Sequence, residues 1–189
     1  MTGNLVLLGV AIGQAQFTSS IRSVIAFAGF AVGLLIGGRM TAKTEPDAVW
    51  PPSVSRAMIG ELSFLLAFLV GWEIAGDRPA TLALDILAAL SAGAMGMQTA
   101  LARRLGVGGV TTTFITGTLT SLIAGFAAVG PGRSRSMMWA ATLACLVIGA
   151  AAGAALFIAW RPGGPLVAVL LVAIVLALGA ARRQTEARA

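Results

Sequence analysis

Six apolar runs, at residues 18–38, 58–75, 79–102, 113–129, 137–160 and 165–181, fill most of the chain and leave it few folds. Each approaches the ~20 residues an α-helix needs to cross the hydrocarbon of a bilayer. Lipid cannot satisfy backbone N–H and C=O groups, so such runs cross as helices, whose backbone bonds close internally. Hydrophobic residues make up 58% of the 189, and charged residues only 11%. A soluble domain carries about a quarter charged residues and could not hide this much apolar surface. The expectation is an all-α membrane protein, a polytopic helical bundle forming a single transmembrane domain over residues 1–189. A seventh run, 1–15, is too short to cross comfortably. The loop 39–56 carries Lys43, Glu45, Pro46, Asp47, Pro51 and Pro52, which predicts a solvated, irregular connection. Pro79 and Pro165 open their helices, where a missing N–H costs nothing. Residues 183–189 read as a charged tail.

The same composition excludes several classes of function. The net charge of +6 comes from thirteen Lys and Arg that fall almost entirely between the runs, as topology signals do. No basic face interleaved with aromatics exists, so no nucleic-acid partner is expected. Cys145 is the single cysteine and lies inside a run, which excludes an intrachain disulfide or a thiolate metal site. Histidine is absent, removing Ser-His and Cys-His catalysis, imidazole proton relays and most zinc chemistry. No carboxylates pair at a fixed helical spacing, so acid–base catalysis has no machinery. The chain is expected to be no enzyme, with no metal and no cofactor. It is also expected to lack a signal peptide, since Met1 meets a Thr-Gly step without a basic n-region.

Two segments echo each other: Met1-Thr2-Gly3-Asn4-Leu5 and Ile115-Thr116-Gly117-Thr118-Leu119. After the first comes a helix with Gly29-x-x-x-Gly33, and after the second one with Gly149-x-x-x-Gly153. Each is followed by a closing helix, 58–75 and 165–181. The spacing predicts an internal duplication, with repeat 1 over about 1–76 and repeat 2 over about 79–182. The second copy also has a helix before its Thr-Gly step, at 79–102; the first does not. Charge then speaks to topology. Suppose 113–129 re-enters the membrane and the loop 39–56 is cytoplasmic. Ten basic residues then lie inside (Arg39, Lys43, Arg56, Arg103, Arg104, Arg133, Arg135, Arg182, Arg183, Arg188), and Arg22, Arg78 and Arg161 lie outside. If the segment crosses instead, the split is six against seven. Three spans per unit give the two units opposite orientations. Inverted repeats with re-entrant or broken segments are a recurring transporter design.

Candidate chemistry follows from the polar residues inside apolar runs. A glycine turn within the bilayer must be buried in protein or line a wet cavity. Thr2, Gly3 and Asn4, with Thr116, Gly117 and Thr118, are therefore candidate solute-binding residues. A helix starting at such a step turns its positive end inward and suits an anion or a carbonyl. Gln98 lies among small residues; an amide there either bonds a neighbouring helix or faces a cavity, and Thr99 beside it could complete a polar patch. Glu61, Glu73 and Asp85 all stand near run ends, where side chains snorkel; Asp85, the deepest, can meet Arg78 or water. Gly29, Gly33, Gly149 and Gly153 read as helix-packing positions within the bundle, or between copies in a homo-oligomer. Trp50, Trp72, Trp139 and Trp160 lie near run ends, as in an aromatic belt.

Met1-Thr2-Gly3-Asn4, Gly96-Met97-Gln98-Thr99-Ala100-Leu101 and Thr112-Thr113-Phe114-Ile115-Thr116-Gly117-Thr118-Leu119 together resemble the YoaK family of bacterial membrane proteins of unknown function. The resemblance covers essentially the whole chain. Family members usually have Asn where this chain has Thr99, and carry a helix before the first Thr-Gly step. The expectation is thus a shortened first repeat, either from a start placed too late, the favoured explanation, or as a true shortened variant. The family implies a multi-pass protein of the bacterial plasma (inner) membrane and carries over no activity. The repeated polar breaks suggest a transporter or channel-like protein for a small polar solute, with the lipid bilayer as its other partner. The alternative is a membrane scaffold or sensor subunit without transport, in which the Thr-Gly steps only pack.

Overall fold

Helix α1, Thr2–Gly13, turns straight back into α2, Phe17–Thr41, and four further helices follow: α3, Pro52–Ala75; α4, Thr81–Arg104; α5, Arg133–Ala159; and α6, Gly163–Glu186. The structure, a computed structural model, describes residues 2–42, 50–105, 123 and 133–186, and every regular element among them is helical. Five helices are long and apolar enough to cross a membrane: Phe17–Thr41, Pro52–Ala75, Thr81–Arg104, Met137–Ala159 and Gly163–Arg183. At 1.5 Å per residue, the 24 residues of α3 span about 36 Å against the ~30 Å of hydrocarbon. The 12 residues of α1 reach only about 18 Å. The expected run 113–129, apart from Ile123, lies outside the described residues.

The first turn falls where the sequence reading did not put it. Thr2 and Gly3 begin α1 as helical residues, so the Thr-Gly step is no break here. The chain reverses at Gln14–Gln16 instead. Gln16 N–H donates to the Ala11 carbonyl at 2.8 Å and Ala15 N–H to that of Ile12 at 3.1 Å. This is a Schellman closure, and it needs a left-handed residue after the helix. Ala15 fills that place with φ 53°. The turn falls at the gap between the apolar runs 1–15 and 18–38, though the alanine at its left-handed position gave no sign of the closure.

Helix α3 also starts earlier than its apolar run. Pro51 caps it and Pro52 takes the first turn, where a fixed φ is pre-organised for helix. Residues 52–56, expected in the loop, belong to its opening turns. They bury one face, with Ser53, Val54, Ala57 and Met58 in the interior. The polar Ser53, Ser55 and Arg56 hid that stripe from a hydropathy reading. At the other end α6 stays helical to Glu186, through the start of the expected tail.

The chain divides into two compact units, one formed by Met1–Leu101 with Pro165–Ala189 and one by Ala102–Gly164. In the first, α2 and α4 cross with backbones in contact. A Cβ built on Gly33 would collide with the Gly93 carbonyl, and one on Gly96 with the Phe30 carbonyl; at Gly29 it would stand 2.5 Å from the Ala89 oxygen. Small residues permit this approach and the dispersion contacts that hold membrane helices together. The core of the unit gathers Val54, Ala57 and Met58 of α3 with Met97 and Leu101 of α4; Met40, Trp50, Phe64, Val172 and Leu176 close over it. Trp50 is no interfacial belt residue: it lies under α6 against Gly179, and its Nε1 donates to Ser55 Oγ at 2.9 Å.

In the second unit, α5 ends at a turn in which Trp160 N–H donates to the Leu156 carbonyl and Gly163 N–H to that of Trp160, both at 2.8 Å. The two copies of Gly-x-x-x-Gly behave differently. A Cβ on Gly149 or Gly153 would meet no described residue within 4 Å, so among the described residues the packing seen at Gly29 and Gly33 is not repeated. The motif names a small face; it does not supply the helix that covers it.

Candidate functional site

Four helices of the first unit position its polar residues. On α3 the buried stripe Val54, Ala57, Met58 continues to Glu61, at i+7, i+4 and i+3, so the helical period alone turns its carboxyl inward. Glu61 is the tenth residue of the helix, about 14 Å along it, and only 4% exposed. No hydrogen bond or ion pair joins it to another described residue. The sequence reading expected Glu61 to snorkel from a position three residues into its run. That reading fails because the helix begins at Pro52. The signal was present as the stripe of apolar residues in the segment taken for loop.

Glu73, near the other end of α3, is exposed, as expected of a carboxylate at the interface. Asp85 does not meet Arg78. Its Oδ1 accepts from Arg22 Nε at 2.9 Å, tying the start of α4 to the first turns of α2. Sequence could not reveal a pairing across 63 residues.

The predicted solute-binding residues are dispersed. Thr2, Gly3 and Asn4 open α1, with Gly3 exposed and Asn4 half-buried. Gln98 is half-buried on α4 and hydrogen-bonds no other described residue. Thr99 is buried, and its Oγ1 donates back to the Met95 carbonyl at 2.7 Å. A hydroxyl bonded to its own helix is a poorer solute ligand than the amide beside it. Thr116, Gly117 and Thr118 lie outside the described residues. At one end of the unit, Arg39, Met40, Ala42 and Arg56 line an open cleft of about 330 Å³. Two guanidiniums make it a cationic mouth, and its Met40 packs against the core cluster that leads to α3. Among the described residues no three His, Cys, Asp or Glu side chains group as a metal site would need.

The family model described as "Protein of unknown function (DUF1275)" matches residues 1–180. UPF0700 transmembrane protein YoaK of Bacillus subtilis (strain 168) is 37% identical over 123 residues, 65% of this chain and 52% of that protein. The chain thus spans about half the length of this curated relative. No solved structure matches.

Proposed function

The chain belongs to the DUF1275 family of multi-pass membrane proteins of unknown function, and from that premise we propose that it is a transporter or channel-like protein for a small polar solute. It acts in the bacterial plasma membrane and catalyses no reaction of its own. The observation that carries this reading is Glu61, a carboxyl buried in the core face of a helix long enough to span. Ionisable groups in such places are costly, and they mark solute and ion pathways. Gln98, half-buried without a hydrogen bond to another described residue, supports it, as does the cationic cleft between Arg39 and Arg56.

The test is uptake of isotopically labelled urea, glycine and acetate into proteoliposomes. One or more should enter faster than into protein-free vesicles, and Gln98→Leu and Thr116→Val should slow it. Entry at the protein-free rate for all three removes the reading. Unchanged uptake in both variants removes the proposed site.

The second reading, a scaffold or sensor subunit, draws on α5. A Cβ on Gly149 or Gly153 would meet no described residue, and copies of this small-residue face could join protomers. A monomer in native-like lipid discs would set it aside.

A further inference from the structure

We propose that Glu61 is a proton-binding site inside the membrane, loading and releasing one proton as the protein works. The inference rests on the transporter reading and gives it a coupling ion.

The surroundings of the carboxyl decide between a proton and a metal cation. Its neighbours on the same helical face are Ala57 and Met58 before it, and Phe64 and Leu65 after it. None offers an oxygen. Across the interface Met97 reaches over Gly60, 2.6 Å from where a Cβ would stand, and Phe64 lies against Gly93. Hard cations need several oxygen ligands at once, six to eight for Ca²⁺. A buried carboxyl whose helical neighbours carry no side-chain oxygen, and which bonds no other described residue, has too few ligands for such an ion but enough for a proton.

Among the described residues no charged group pairs with it. Arg39 of α2, Arg56 and Glu73 of α3, Arg103 and Arg104 of α4, and Arg182 and Arg183 of α6 are all exposed. Arg22 of α2 and Asp85 of α4 are engaged with each other. An uncompensated charge costs far too much in such a place, so the resting side chain is the neutral acid. Two cations, Arg39 and Arg56, line the cleft at one end of the unit, with Arg56 five residues before Glu61. Water admitted from that cleft would let the proton leave and hold the carboxylate that remains.

Infrared difference spectroscopy on the protein in lipid reads the proton directly and needs no solute. Wild type should show a protonated-carboxyl C=O band at acid pH that is lost reversibly as pH rises. Glu61→Gln should lack that component, keeping only the bands of the other carboxyls such as exposed Glu73. Identical spectra for wild type and Glu61→Gln at every pH would overturn the proposal. So would a Glu61 band that never disappears on alkalinisation, which describes a fixed neutral acid. If Glu61→Gln does not accumulate, dicyclohexylcarbodiimide labelling of wild type followed by peptide mass mapping substitutes for it. The expected adduct is on Glu61 and not on exposed Glu73, and it fades with rising pH; no adduct on Glu61 counts against the site. Uptake can fail while the band titrates, or succeed while it does not, so the two proposals fall separately.

Discussion

Arg22 Nε lies 2.9 Å from Asp85 Oδ1, joining α2 to α4 across 63 residues of sequence. The carboxylate side chain is 13% exposed and the arginine 39%. The two partners are therefore unequal, because removing the arginine strands the better-buried charge. Arg22→Ala should cost about 1–3 kcal/mol and Asp85→Asn less. The double variant should lose less than the sum of the two. Thermal unfolding in one detergent, set out as a double-mutant cycle, measures the coupling.

The α2–α4 crossing leaves no room for a side chain. Gly33→Val should abolish folded protein or cost more than about 4 kcal/mol, because the clash is with backbone rather than a flexible side chain. Gly149→Val meets no described atom and should stay within about 0.5 kcal/mol in a monomer. Size-exclusion yield separates the two. A change of oligomeric state in Gly149→Val would favour the scaffold reading instead.

Ala15 occupies the left-handed position that closes α1. An L-residue there pays about 1–2 kcal/mol that glycine does not. Ala15→Gly is expected to stabilise the protein by about 1 kcal/mol, offset in part by the extra freedom of glycine in the unfolded chain. Ala15→Val should do the reverse. Melting temperatures of the pair check both signs.

Glu61 carries a cost to stability whatever its role. Replacing a buried carboxyl without a partner by an apolar residue of similar volume is neutral or stabilising. Glu61→Leu should unfold at the same or a higher temperature than wild type while losing the titrating band. Glu61→Lys should destabilise by several kcal/mol, since an ammonium buried there pairs with no described acid. Comparison of melting curves in the same lipid tests this, and a large loss in Glu61→Leu would show that the carboxyl is held by an unrecognised bond.

Hydropathy and charge in the amino-acid sequence were enough to determine the class of this protein. Runs of about 20 apolar residues with basic residues between them permit one architecture, because lipid satisfies no backbone group. Gly29 and Gly33 were likewise legible as a close-packing face. Tertiary structure alone decided what each polar residue meets. Asp85 found Arg22 rather than Arg78, because its partner is set by which helices adjoin. Gly149 and Gly153 shared a motif with Gly29 and Gly33, but not a described neighbour. Glu61 passed from interface to interior because Pro51 and Pro52 start α3 early and the helical period carries it onto the core face. Sequence patterns report a residue's own preference for water or lipid. Burial and pairing belong to the surfaces that other parts of the chain bring to it.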